Sequence, residues 1–320
     1  WRLSAFEAAL CAETRTLAQT KFAARAAEID RQARFPTENY QDLRASDLLG
    51  ICIPREHGGR GADLRAYMLA AAEIGRYCGA TALTFNMHVS SCLWTGVLAD
   101  GVEMSEAQRE EHAAMRARHY RRILDEGAIY AQPFSEGGDA AAGKAAFGTT
   151  AVVTDGGWIV NGKKIFASLS GHADYYGVLC TELETPESRP SRANTMYIAV
   201  PRDAEGVSVE GSWDPLGMRG TVSRTLVFRD VFIPFSEQLM PRGVYFNAAR
   251  QWPHMFMTLT PSYMGIAQAA YDFTVRYLRG EMPGTPPVKR RMYPTKQLAV
   301  AQMKIMLEQT KSLWLSLIHI

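Results

Sequence analysis

The chain has 320 residues, 47% of them apolar and 21% charged, with a net charge of +2, so it can bury about 75% of its unfolded surface in about two to three domains. The near-neutral balance gives no basic footprint for nucleic acid or for a membrane surface. Five cysteines without a CxxC pair predict reduced, buried thiols, and the lack of a signal peptide or of an apolar run of about 18 residues leads to the expectation of a cytoplasmic protein.

The first third reads as helices. Residues 3–33 are Ala-rich with few breakers. Pro36 opens a further helix, and Pro54 stops the segment after it. Residues 55–61 (REHGGRG) form a turn cluster, and Asp63 suits an N-cap. The next helix places Leu64, Met68, Ala71 and Gly75 on one face. Residues 80–98 are apolar nearly all round and predict a buried helix. Residues 105–124 are charged and predict a surface helix, with His112 and His119 solvated. An N-terminal α-helical domain over 1–126 follows.

After Gly127 the period shortens to two. Residues 149–153 form a strand, 155–157 a tight turn, and 158–160 resume the alternation. Asn161-Gly162 predicts a second turn into 163–168. Segments 175–181, 195–200, 207–210 and 221–228 supply further strands. Many short strands between Gly and Pro turns predict an antiparallel β-barrel or sandwich over 127–235. Helical period returns after Pro241, with one long amphipathic helix over 264–278. A Pro/Gly-rich linker, 282–294, precedes a helix in which Val300, Met303, Leu307, Thr310 and Trp314 recur at helical spacing. The fold class is therefore α+β, with a C-terminal helical bundle over 236–320. The chain starts without Met and ends inside an apolar pattern, 313–320, so the bundle is expected to be incomplete.

Two motifs fail on inspection. Residues 138–144 (GDAAAGK) mimic a phosphate loop, but Ala145 stands where Ser or Thr would hold magnesium; a small-residue loop is expected. Gly59-Arg60-Gly61 opens like a dinucleotide fingerprint, but Leu64 occupies the third glycine position. His88 lies in an apolar helix and reads as a hydrogen-bonded core histidine. More informative are 131–139 (AQPFSEGGD), 161–174 (NGKKIFASLSGHAD) and 213–219 (WDPLGMR). Phe166 and Ser168 are two apart, which places both on one side of a strand. An aromatic beside a hydroxyl suits a flat ring with heteroatoms at its edge.

Taken in order, these segments resemble the acyl-CoA dehydrogenase superfamily. The likeness is carried by the Pro54 to Gly61 turn, Ser135-Glu136-Gly137, Asn161-Gly162 through Phe166 and Ser168, and Leu216-Gly217-Met218-Arg219 through Pro234. Gly265-Ile266-Ala267-Gln268 and the Lys296-Gln297 helix extend it. The resemblance implies FAD held among the three domains of a homo-oligomer, a dimer or tetramer. It implies α,β-dehydrogenation of an acyl-CoA thioester, with electrons passed to an electron-transferring flavoprotein. By position, Gln132, Phe134 and Ser135 would line the flavin from one side and Phe166 and Ser168 from the strand, with Arg219 and Ser223 toward the substrate.

Three departures stand beside the resemblance. Where one branch of the family has its catalytic carboxylate, this chain has Met255, with His254 adjacent but turned elsewhere on a helix; other branches place the base beyond Ile320. Phe256 replaces an Arg usual near the acyl-CoA. The linker lacks the usual Arg-x-x-Phe-Gly. Two alternatives stay open: a flavin-dependent monooxygenase or oxidase on the same fold, with His88 or His172 as acid or base, and a non-catalytic, truncated subunit.

Overall fold

The computed structural model describes residues 2–140, 144–284 and 290–317. Positions 141–143 of the small-residue loop, 285–289 of the linker and 318–320 of the final apolar pattern lie outside the described residues.

Helix α1 (Ala5–Leu17) starts at a capping box: Ser4 Oγ accepts from the Glu7 N–H, and the Glu7 carboxylate accepts from the Ser4 N–H at 2.7 Å. It continues through one π turn (Ala18–Phe22) into α2 (Ala23–Gln32). Helix α3 (Thr37–Ala45) follows Pro36. Asp63 caps α4 (Leu64–Tyr77) by accepting from Ala66 N–H at 2.8 Å, as its residue type predicts. Helix α5 (Gly79–Leu93) is buried on most sides and runs into a second π turn (Trp94–Leu98), within which Gly96 departs from helical geometry.

Helix α6 (Glu106–Asp125) corrects an expectation. His112 and His119 are not solvated; each is only 2% exposed. The helix is charged, yet one narrow face carrying His112, His119, Tyr120 and Ile123 is buried. His119 Nδ1 lies 2.8 Å from Tyr130 Oη, and Nε2 lies 3.3 Å from the Gln238 carbonyl. Arg122 donates twice to Glu237, at 2.6 and 2.8 Å, and lies 4.4 Å over the Tyr175 ring. Burial holds His119 down to about 4. The face that looks solvated in sequence clamps the helix to the sheet.

One sheet contains β1 (Tyr130–Ala131), β2 (Thr150–Thr154), β3 (Gly157–Ala167), β4 (Tyr175–Leu183), β5 (Thr195–Pro201), β6 (Val207–Glu210), β7 (Arg224–Pro234) and β8 (Gln238–Met240). Its order is β6-β7-β3-β2-β4-β5-β8, with β1 beside β4. The pairs are antiparallel except β2 with β4 and β1 with β4, which are parallel. Asn161-Gly162 does not turn the chain. Strand β3 runs through it, with a register shift between Val160 and Gly162. Asn161 is held across the sheet instead: its Nδ2 donates to Asp230 Oδ1 and its Oδ1 accepts from Asp230 N–H, both at 2.9 Å. The strand expected from residue 221 starts at Arg224, after a 3-10 turn at Arg219–Thr221.

Beyond the sheet lie α7 (Val244–Gln251), α8 (Thr260–Arg279) and α9 (Pro294–Leu317). Helices α4 and α8 meet through Gly75 and Gly265. A Cβ on either would run into the other helix's backbone, at Ser262 and Ala72 respectively. All five cysteines are buried and unpaired. Among the described residues no helix is long and apolar enough to cross a membrane.

Candidate active site

A cavity of about 470 Å³ opens between the sheet, α5 and the segment leading into α8. The structure brings Gln132, Phe134, Ser135, Phe166, Ser168 and Ser223 together on its sheet side. It does not bring Arg219 there. That residue reaches back to Asp30 on α2 at 3.1 Å and to Asp214 at 3.9 Å.

The loop carrying Ser135 is fixed from beneath. Ile165 N–H donates to the Ser135 carbonyl at 2.8 Å. Lys164 is fully buried under the sheet and donates to Glu136 Oε1 at 2.6 Å and to the Leu179 carbonyl at 2.5 Å. Glu136 also accepts from the N–H groups of Gly148 (2.6 Å) and Thr149 (3.0 Å). Burial pushes the Glu136 carboxyl up, but Lys164 and the Thr149 donors outweigh it and hold the group below the ordinary carboxylate range. Sequence reading passed over this pair. The signal was present, because Lys164 keeps the inward parity of Trp158 and Val160 on β3, where a lone lysine needs a partner.

Phe166 and Ser168 share the cavity by a route different from strand alternation. The register shifts again between Lys164 and Ala167, and Phe166 has φ +51°. The strand ends at Ala167, leaving Phe166 67% exposed and Ser168 buried. Leu169, Met218 and Val222 also adopt positive φ, at 64°, 61° and 47°. For β-branched Val222 this is a marked strain. Such strain persists only where the surroundings over-determine it, and it clusters at functional sites. Here the two strained segments are tied together by Leu169 N–H to the Thr221 carbonyl (3.0 Å) and Ser170 N–H to the Val222 carbonyl (3.2 Å).

Gln132 is 8% exposed, and its Nε2 donor has no partner among the described residues. Phe166 meets Trp213 edge-on at 6.1 Å. The helical side contributes Leu83, Met87, Trp94, Met255 and Leu259. Among the described residues lining the cavity there is no Asp, Glu, His, Lys or Arg.

His88 is not at this cavity. It is fully buried on α5, with Nε2 2.9 Å from the Leu49 carbonyl and Nδ1 accepting from Tyr130 N–H at 3.0 Å. Burial lowers it to about 4, so it is a neutral core histidine. His172 stacks on Phe35 at 4.6 Å, and His254 packs edge-on against Trp252 at 5.8 Å.

A second cavity, of about 540 Å³, shares Phe256 with the first. Arg192 and Arg250 flank Phe246 there, 5.7 and 5.9 Å from its ring centre. Trp94 packs on Tyr245 at 4.9 Å and on Phe256 at 6.1 Å at the junction. Trp94 and these aromatics come from elements remote in sequence, and no local pattern marks them.

Residues 4–117 match the family model for the acyl-CoA dehydrogenase N-terminal domain, and 134–231 match the model for the middle domain. The chain belongs to the acyl-CoA dehydrogenase family. A putative acyl-CoA dehydrogenase of Bacillus subtilis, YdbM, is 30% identical over 286 residues, covering 85% of this chain and 68% of the relative. Butyryl-CoA dehydrogenase from Megasphaera elsdenii shares the fold at 22% identity and TM-score 0.79, over 98% of this chain and 78% of that one. FMN-bound TdsC from Paenibacillus sp. A11-2, a dibenzothiophene monooxygenase, is 25% identical with TM-score 0.74, over 95% and 77% of the two chains. The family's fold, helices then sheet then helices, is the architecture described above.

Proposed function

We propose that this chain is a flavin-dependent oxidoreductase that dehydrogenates an acyl-CoA thioester at its α,β carbons. FAD is its cofactor, an electron-transferring flavoprotein its electron acceptor, and copies of itself its assembly partners. Three units, 1–126, 127–235 and 236–320, surround the site.

The observation that carries the flavin is the unpartnered amide of Gln132. A buried donor without an acceptor costs roughly 1–3 kcal/mol, and a ring heteroatom would remove that cost. Gln132, Phe134 and Ser135 on one segment and Phe166 and Ser168 on the other would hold the ring. Their mixture of exposed aromatic face and hydroxyl edge fits a flat, polar-edged heterocycle. When bound, the flavin supplies a two-electron acceptor for the hydride leaving the β-carbon.

Leu83, Met87, Met255 and Leu259 exclude water, which strengthens every hydrogen bond made on the opposite wall. The adjoining cavity, with Arg192 and Arg250, supports a long substrate with an anionic end. Ser223 lines the cavity behind Ser168, 2.8 Å from its Oγ. The proton acceptor for the α-carbon must come from outside this lining, because Met255 cannot take a proton.

With the protein loaded with FAD, anaerobic addition of a saturated acyl-CoA is expected to bleach the oxidised flavin absorption. A second reading, a flavin monooxygenase or oxidase, is favoured by the uncharged cavity lining. It predicts no bleaching by any acyl chain length, and oxygen-dependent hydroxylation of a substrate by the reduced form. A purified chain that takes up neither FAD nor FMN sinks both readings and leaves a non-catalytic subunit.

A further inference from the structure

Ser168, Ser223 and Thr221 form a run of hydroxyls along the cavity wall that ends on a backbone carbonyl. Ser168 Oγ lies 2.8 Å from Ser223 Oγ, and Ser223 Oγ lies 2.7 Å from Thr221 Oγ1. Thr221 Oγ1 lies 2.9 Å from the Met218 carbonyl oxygen. All three side chains are buried.

Each hydroxyl has one proton to donate, so an unbroken run has two polarities. In the first, Thr221 donates to Met218, Ser223 to Thr221 and Ser168 to Ser223. Ser168 Oγ then presents only lone pairs to a cavity ligand. In the second, Thr221 donates to Ser223 and Ser223 to Ser168, and the Ser168 proton is free for the ligand. Reversal does not orphan the Met218 carbonyl, which also accepts from Thr221 N–H at 3.0 Å and from Trp213 Nε1–H at 3.3 Å. Aligned hydroxyls polarise one another, which favours the two concerted states over mixed ones.

We propose that this run is a hydrogen-bond polarity switch, through which Ser168 donates to an oxidised flavin and accepts from a reduced one. The proposal rests on the flavin reading above. A ring nitrogen that offers a lone pair when oxidised carries an N–H after taking up the substrate's hydride, so the partner it needs reverses. No proton leaves its oxygen; each O–H turns about its own Cβ–Oγ bond. Ser223 and Thr221 are positioning residues that act through Ser168.

The test is to load the protein with FAD and measure the flavin's midpoint potential and the affinities for its oxidised and reduced forms. S223A leaves the Ser168 proton without an internal acceptor whenever Ser168 must accept, so it penalises the reduced form. T221V, an isosteric change, biases Ser223 toward donating to Ser168 and acts in the same direction. Each is expected to weaken reduced flavin relative to oxidised by about tenfold, a fall of about 30 mV for a two-electron couple. T221S restores the hydroxyl and is expected to keep the parent potential. Equal weakening of both redox forms, or unchanged potentials in S223A and T221V, overturns the switch while leaving the flavin reading intact. A chain that binds no flavin overturns that reading and the switch with it.

Discussion

The sheet wall of the cavity carries its polar groups and its backbone strain, while the α5 wall opposite is mostly apolar and helical. On the sheet wall, Gln132, Ser135, Ser168 and Ser223 face inward, and Phe166 and Val222 sit at positive φ. On the helical wall, Leu83, Met87 and Trp94 face inward, and Asn86 Oδ1 is already occupied by Tyr67 Oη–H at 2.8 Å. Each wall is braced by a buried polar residue that points away from the cavity. Lys164 braces the sheet wall through Glu136, and His88 braces the helical wall by accepting from Tyr130 on β1. The difference separates two tasks: one wall orients a ring by hydrogen bonds, and the other excludes water and sets shape.

The largest expected effect comes from cutting the sheet brace. K164M leaves the half-buried Glu136 carboxylate without its cation. Breaking a fully buried pair from one side costs about 3–5 kcal/mol; Glu136 is only half-buried and keeps two N–H donors, which sets the expectation at or below the lower end, read as a lower midpoint in urea unfolding. K164M/E136Q is expected to recover much of that loss, because no buried charge is left behind. Unfolding of K164M at the parent midpoint would show that the ion pair does not hold this wall.

The helical brace is weaker and depends on pH. His88 is held down to about 4, against about 6.5 in an unfolded chain. As pH falls, the unfolded chain therefore takes up the proton first. The contribution of His88 is intact above about pH 6.5 and is lost progressively as pH falls toward 4. Between those limits one such histidine adds a slope of about 1.4 kcal/mol per pH unit. His112 and His119, also lowered to about 4 mainly by burial, add to it. H88Q is expected to remove one proton's share of the slope in unfolding measured at pH 7.5, 6 and 5. An unchanged slope would mean that His88 is charged or solvated in the native state.

What was legible in the sequence follows the same division. Helix starts such as Asp63, and the change of period after Gly127, are local signals and match the structure. The sheet wall was legible as a set of residues but not as geometry. Asn161-Gly162 carries the residue types of a hairpin turn, yet Asp230, 69 positions away, holds Asn161 in a continuous strand. Phe166 and Ser168 follow an alternation that a bulge breaks before Ala167. Glu136 stands 28 residues from Lys164, so neither residue announces the pair. On the helical wall, Trp94 and Phe256 meet only because the turn after α5 and the segment before α8 pack together. Charge concealed His119, since four arginines within four positions of it, Arg116, Arg118, Arg121 and Arg122, make that stretch of α6 look exposed.

The smallest expected effect is the most discriminating, because it has two signs. Gln132→Leu deletes a buried donor that has no partner in the protein alone. Such a group costs roughly 1–3 kcal/mol, so the flavin-free variant is expected to be as stable as the parent or about 1 kcal/mol more stable. The same change removes a hydrogen bond from the proposed complex, and flavin affinity is expected to fall about tenfold, or about 1.4 kcal/mol. Thermal unfolding of the flavin-free protein and titration with FAD read the two effects separately. A purely structural Gln132 would lower stability and affinity together. An orphan kept for a ligand lowers affinity alone, and that outcome would assign the orienting task to the sheet wall.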